Sequence, residues 1–125
     1  METTPQEQIE DLMKSIVGQG NYETAYLLSD EGLVLAFINE QGIITEDRII
    51  EMSLLFQEIR KMADVMGNMS EIKELIVEGN SRRKIIFRFF DVYEQAYVLA
   101  LVIPPKTSYR GLTNKLVRLI MKNLK

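Results

Sequence analysis

Residues 71–103 read EIKELIVEGNSRRKIIFRFFDVYEQAYVLALVI, three apolar runs separated by two short polar connectors. The runs 71–78, 83–90 and 96–103 have strand length and are rich in Ile, Val and Phe. Neither connector, Gly79-Asn80-Ser81-Arg82 nor Asp91-Val92-Tyr93-Glu94-Gln95, is long enough for a parallel crossover, so the segment predicts an antiparallel meander. Its three strands are not alike. In the first, Glu74, Ile76 and Glu78 share one face and Lys73, Leu75 and Val77 the other, a charge content that reads as a sheet edge. The last, from Ala96 to Ile103, is apolar at consecutive positions, as are Ala25-Tyr26-Leu27-Leu28 and Leu33 to Ile38 upstream, which predicts cover on both faces of these three runs. Pro104-Pro105 closes the last strand.

Outward from this meander the other elements follow. Downstream, Tyr109 to Lys122 predicts a helix with Leu112, Leu116, Leu119 and Ile120 on one side and Lys115, Arg118, Lys122 and Lys125 towards its C-terminal half, where cations suit the dipole. Upstream lies the longest helical segment, Glu46 to Met66, with Thr45 as its cap, Glu46 and Asp47 in the first turn, and Gly67-Asn68 as its stop. Before it, Thr24 to Ser29 and Leu33 to Ile38 predict a hairpin across Asp30-Glu31-Gly32, with Asp30 closing the turn and Gly32 supplying a positive φ. The 39–45 stretch, with Gly42 inside it, makes the connection to the long helix. A first helix starts at Thr4, with Pro5 at its first position and Glu7 completing a capping box, carries Ile9, Leu12, Met13, Ile16 and Val17 as its apolar stripe, and ends at Gly18 and Gly20.

The order helix-strand-strand-helix-strand-strand-strand-helix predicts an α+β fold: a five-stranded antiparallel sheet with helices on both faces, a three-layer α/β/α arrangement. No linker or repeat divides the 125 residues, so one domain spanning 1–125 is expected.

The long helix has more apolar surface than one sheet requires. On a helical wheel Met62, Leu55, Met66, Ile59, Met52, Ala63, Phe56 and Ile49 fall within about 140°, the arc expected to pack on the sheet. Ile50, Leu54 and Val65 form a second stripe opposite, beside Gln57, Glu58 and Lys61. That second face predicts a protein contact. Together with the edge strand it gives the candidate dimer and partner interface: Ile50, Leu54, Gln57, Lys61, Val65, Glu74, Ile76 and Glu78, in the geometry of a two-fold dimer.

Catalytic chemistry has little to work with. The chain has no cysteine, histidine or tryptophan, which excludes Cys/His metal sites and every Ser-His or Cys-His pair. Neither a Walker loop nor GxGxxG occurs, and the acidic pairs Asp30-Glu31 and Glu46-Asp47 read as turn and helix-start residues, so no catalytic residue, cofactor or metal is expected. Lys106 to Gly111 is the one stretch combining cations, hydroxyls and glycine at a helix start, an anion-binding composition for which Ser108 as helix cap is the simpler account. The cluster Ser81-Arg82-Arg83-Lys84 reads as a charged hairpin tip, or as a surface for an acidic partner. The net charge of -3 argues against nucleic acid, and the longest apolar run, Val98 to Pro105, is too short to enter a membrane as a spanning helix. A cytoplasmic protein is the expectation.

The strand-turn-strand wording Tyr26-Leu27-Leu28-Ser29-Asp30-Glu31-Gly32-Leu33-Val34-Leu35-Ala36, the long central helix and the closing strand and helix from Tyr97 onward resemble the roadblock/dynein light chain family, in its prokaryotic MglB-like branch. The resemblance spans nearly the whole chain and rests on element order and lengths. It implies a profilin-like roadblock domain, non-enzymatic and homodimeric through the long helix and the third strand. It further implies a Ras-like small GTPase as partner, in signalling and cell polarity, with GTP hydrolysis promoted by reorganising the GTPase's own site. Two other readings stay open: an adaptor or scaffold subunit without effect on nucleotide turnover, and a small-ligand sensor in which Arg88, between Phe87 and Phe89, would reach the ligand.

Overall fold

The computed structural model describes residues 4–39, 44–66 and 72–125. Along the chain run α1 (Pro5–Gly20), β1 (Thr24–Ser29), β2 (Val34–Asn39), α2 (Glu46–Met66), β3 (Glu74–Glu78), β4 (Lys84–Val92), β5 (Gln95–Ile103) and α3 (Arg110–Leu124). This is the predicted order. The strands form one antiparallel sheet, β2-β1-β5-β4-β3, so the meander β3-β4-β5 is as expected and β3 is an edge.

One face of the sheet is covered by α1 and α3. Ile9, Met13 and Ile16 of α1 and Leu116 and Ile120 of α3 pack with Ala25, Leu27, Ile86, Leu99 and Leu101. On the other face Ile49 and Phe56 of α2 pack with Tyr26, Leu28, Phe87, Val98, Ala100 and Val102. β1 and β5 are therefore buried on both sides, which is why their sequences do not alternate, but the same expectation for Leu33 to Ile38 is corrected: β2 is the other edge of the sheet and leaves Leu33 and Phe37 exposed.

Local chemistry sets the boundaries, with some departures from expectation. Thr4 Oγ1 accepts a hydrogen bond from the Glu7 amide at 3.1 Å, which caps α1. The helix runs past Val17 to Gly20 and ends on Asn21 in the left-handed region (φ 55), a role Asn fills when glycine does not. Gly20 serves a different purpose: a Cβ there would meet the Tyr22 ring at 2.5 Å. In the β1–β2 turn Gly32 has the expected positive φ of 86, but Asp30 does not close it. Ser29 Oγ does, accepting from the amides of Glu31 (3.2 Å) and Leu33 (3.1 Å).

The β4–β5 hairpin is tighter than the sequence suggests. Its turn is Tyr93-Glu94 alone, at φ 49 and 66, the pair of left-handed residues that a type I′ turn requires. Ser108 does not cap α3; Tyr109 takes that position without a side-chain bond. Its carbonyl instead accepts from the Tyr22 hydroxyl (3.0 Å) and the Thr113 amide (2.9 Å), so a contact from the chain beyond α1 fixes where α3 starts. β3 begins at Glu74. The Gly67-Asn68 stop, Gly42 and Glu71 lie outside the described residues.

Candidate partner-binding surface

The orientation of α2 decides which residues it offers to solvent. Its sheet-facing line is Ile49, Ser53, Phe56 and Arg60. Phe56 meets Phe87 edge-on, with centroids 4.8 Å apart and planes at 87°. The Arg60 guanidinium lies 4.4 Å above the Phe89 ring, a cation–π contact that lets an arginine sit on the sheet side. Ser53 is fully buried where the helix comes closest. Two polar residues thus share the packing face with Ile49 and Phe56, and the Leu55, Ile59 and Met62 side of the apolar arc is turned away from it.

The expectation that Leu55, Ile59 and Met62 pack on the sheet is accordingly corrected: they are 58%, 37% and 63% exposed. They stand at i, i+4 and i+7, one continuous stripe. Sequence reasoning missed them because it sorted α2 by hydrophobicity alone. The available signal was Ser53, the small residue that marks the line of closest approach.

The second stripe is partly as expected. Leu54 is exposed and Val65 is 88% exposed, while Ile50 is half-buried. Ile50 and Leu54 lie beside Gly32 at the β1–β2 turn, where a glycine Cβ would come within 3.2 Å of Ile50 Cγ2 and 3.4 Å of Leu54 Cδ2. Gln57 is half-buried, accepts a bond from Arg60 (3.2 Å), and its Nε2 has no partner among the described residues. Lys61 is exposed, 3.3 Å from Glu58. The Leu55-Ile59-Met62 stripe lies on the flank of α2 opposite Ile50 and Leu54.

Among the described residues β3 presents a free backbone edge. The Phe89 amide donates to the Lys73 carbonyl and the Gly79 amide to the Arg83 carbonyl, so the odd-numbered residues of this strand bond to β4. Glu74, Ile76 and Glu78 therefore turn their amides and carbonyls outward. Their side chains share the α3 side of the sheet: Glu74 pairs with Arg88 at 3.0 Å, Glu78 lies 3.7 Å from Lys84, and Ile76 is exposed. Arg88 also donates to Asn114 Oδ1 at 2.7 Å. It is thus held on two sides, by Glu74 of β3 and by Asn114 of α3. Arg83, from the hairpin-tip cluster, pairs with Glu23 at 2.9 Å instead of facing a partner.

At the start of β3 a cleft of about 880 Å³ opens, with Arg60, Lys73, Arg88 and Arg110 on its wall beside Glu74 and Asp91. No group of three or more acidic side chains is placed to hold a metal ion among the described residues. Two tyrosines are perturbed: burial pushes the hydroxyls of Tyr22 and Tyr26 above their ordinary 10.0. Both serve as hydrogen-bonding groups of the core, Tyr26 accepting from Asn39 Nδ2 at 3.2 Å.

Three helices on a five-stranded antiparallel sheet, with α2 alone on one face and β3 at the edge, make a fold similar to that of solved MglB and roadblock/LC7 domain structures. Myxococcus xanthus MglB is similar to this chain with a TM-score of 0.74 at 17% identity, over 99% of this chain and 90% of that one. Gliding protein MglB from Thermus thermophilus matches with a TM-score of 0.68 at 15% identity, over 99% of this chain and 90% of its own. A roadblock/LC7 domain from Streptomyces avermitilis matches at 0.68 with 19% identity, over 90% of this chain and 92% of its own. No protein-family model and no curated protein matches the sequence.

Proposed function

We propose that residues 1–125 form one roadblock-like domain that dimerises through β3 and the exposed flank of α2, and that the dimer binds and regulates a Ras-like small GTPase. The observation that carries this reading is the adjacency of two unsatisfied features. Among the described residues β3 leaves the outward amides of Glu74, Ile76 and Glu78 unused, and α2 leaves Leu55, Ile59 and Met62 exposed on the flank away from the β1–β2 turn. A two-fold strand pairing satisfies the first and brings the second against its copy. Leu54, Lys61 and Val65, with Ile50 and Gln57 behind them, then form the partner face.

The domain supplies no reactive group to the partner's reaction. Its contribution is positional: a rigid helical face that holds the GTPase's own loops in one arrangement. Similarity of fold to the MglB structures supports the choice of partner class.

The test uses Leu54→Asp with Val65→Asp. Light scattering should still show a dimer, while binding of a Ras-like GTPase from the same genome is lost. Unchanged binding by this variant overturns the face assignment. GTP hydrolysis with and without the protein separates a regulator, which changes the rate, from a scaffold, which does not.

A further inference from the structure

The chain's charge is unevenly distributed. Residues 110–125 carry Arg110, Lys115, Arg118, Lys122 and Lys125 and no Asp or Glu, so of the side-chain charge that sums to -3 this segment holds +5 and the rest -8. Lys115, Arg118, Lys122 and Lys125 are all exposed, and none enters an ion pair among the described residues. On a helical wheel the four span about 80°, centred opposite the buried Leu116 and Ile120.

Resting on the β3-paired dimer proposed above, we infer that this basic face adsorbs to an anionic phospholipid bilayer. A two-fold that joins β3 to its copy stands perpendicular to the sheet, so both α2 helices lie on one face and both α1/α3 layers on the other. Within that layer α1 packs against β2, while α3 is tied to β4 through Arg88–Asn114. The two α3 helices are then the inner pair, roughly 20 Å apart by strand spacing. The carboxylates of α1 fall at the periphery, and Glu10 among them is already bonded to Phe37. Glu74 and Glu78, on the same side of the sheet, are matched by Arg88 and Lys84.

The result is a broad surface with eight cations at its centre and the partner face of α2 pointing the other way. Among the described residues it lacks the exposed aromatic or aliphatic anchors that centre a specific protein interface, since of their exposed large hydrophobics only Ile76 belongs to the β3 edge on this side. Electrostatic adsorption to a planar anionic surface requires none.

The experiment is cosedimentation with vesicles of phosphatidylcholine, with and without phosphatidylserine, at rising salt. Wild type should sediment only with phosphatidylserine and release as salt rises. Each cation near such a surface contributes roughly fivefold in partitioning, so Arg118→Glu with Lys122→Glu should lose roughly thirtyfold or more. Arg48→Glu with Arg82→Glu, which makes the same change in net charge on α2 and at the β3–β4 turn, away from α3, should retain binding. No dependence on phosphatidylserine, equal loss in both double variants, or binding to duplex DNA while vesicles are ignored overturns the inference. Light scattering on the same samples separates the two readings: a dimer that ignores vesicles sinks this inference alone, and an α3-dependent binder that is monomeric sinks the dimer.

Discussion

The sheet ends in two edge strands, β2 and β3, and the chain treats them differently. At β2 the outward amide of Phe37 donates to Glu10 Oε2 at 2.9 Å, so α1 both covers this edge and hydrogen-bonds it. At β3 the outward amides at positions 74, 76 and 78 meet no such group among the described residues, and the ion pairs of Glu74 and Glu78 run inward to β4. An exposed backbone edge invites pairing, and proteins ordinarily blunt it. Blunting one edge with a carboxylate while leaving the other beside an apolar helix stripe directs association to one side of the molecule.

The sharpest way to break the comparison is a proline at an outward position. Ile76→Pro removes an amide that β4 does not use, and edge strands tolerate proline where the N–H faces out. The monomer fold should therefore survive by circular dichroism while dimer dissociation, followed by light scattering on dilution, shifts by roughly a hundredfold or more, about 3 kcal/mol. Leu75→Pro removes an inward amide of the β3–β4 ladder and should instead unfold the strand, at about 3 kcal/mol. If both prolines behave alike, the assignment of inward and outward positions is wrong.

The next largest effect concerns what holds β3 in place. Glu74→Ala leaves the half-buried Arg88 with Asn114 as its remaining partner, at an expected loss of about 2 kcal/mol in denaturant unfolding. Changing Arg88 to Met as well should recover part of it, because the stranded charge is gone. A double variant no better than Glu74→Ala would mean that the pair contributes only locally.

The open edge was legible in the sequence and the closed one was not. Alternation of Glu74, Ile76 and Glu78 with Leu75 and Val77 is a local pattern, readable without knowing any neighbour. Glu10 closes β2 from 27 residues away, and nothing near Phe37 announces it. The same distinction runs through the candidate surface. Element order, the two-sided cover of β1 and β5, and the exposure of Leu54, Lys61 and Val65 follow from periodicity. The rotation of α2 does not, because it depends on Arg60 finding the Phe89 ring and on Ser53 fitting under the helix, both tertiary contacts.

Opening the closed edge should be milder than blocking the open one. Glu10→Ala removes the acceptor for the Phe37 amide, with an expected loss of about 1 kcal/mol. The amide then resembles those of β3, so concentration-dependent association beyond a dimer should appear in light scattering. Glu10→Gln keeps a carbonyl acceptor and should show less of both. Absence of any new association in Glu10→Ala would mean that α1 shields β2 by coverage alone.

The smallest effect is a pH dependence at the closed side. Tyr26 on β1 accepts from Asn39 of β2, and burial, with the negative charge of Glu46 adding to it, holds its hydroxyl above the ordinary value of 10.0. A raised folded-state pKa means that the folded protein favours the neutral form, so this contribution is complete below pH 10 and is lost as pH rises past it. Tyr22 behaves alike, from burial at the α1–α3 contact. Thermal unfolding should therefore be flat with respect to these groups at neutral pH and fall above pH 10, with hydrogen exchange at β2 rising first. Tyr26→Phe loses the Asn39 bond at every pH but should flatten the alkaline fall at β2, leaving the Tyr22 contribution in place. An alkaline fall at β2 unchanged in Tyr26→Phe would place the responsible group elsewhere.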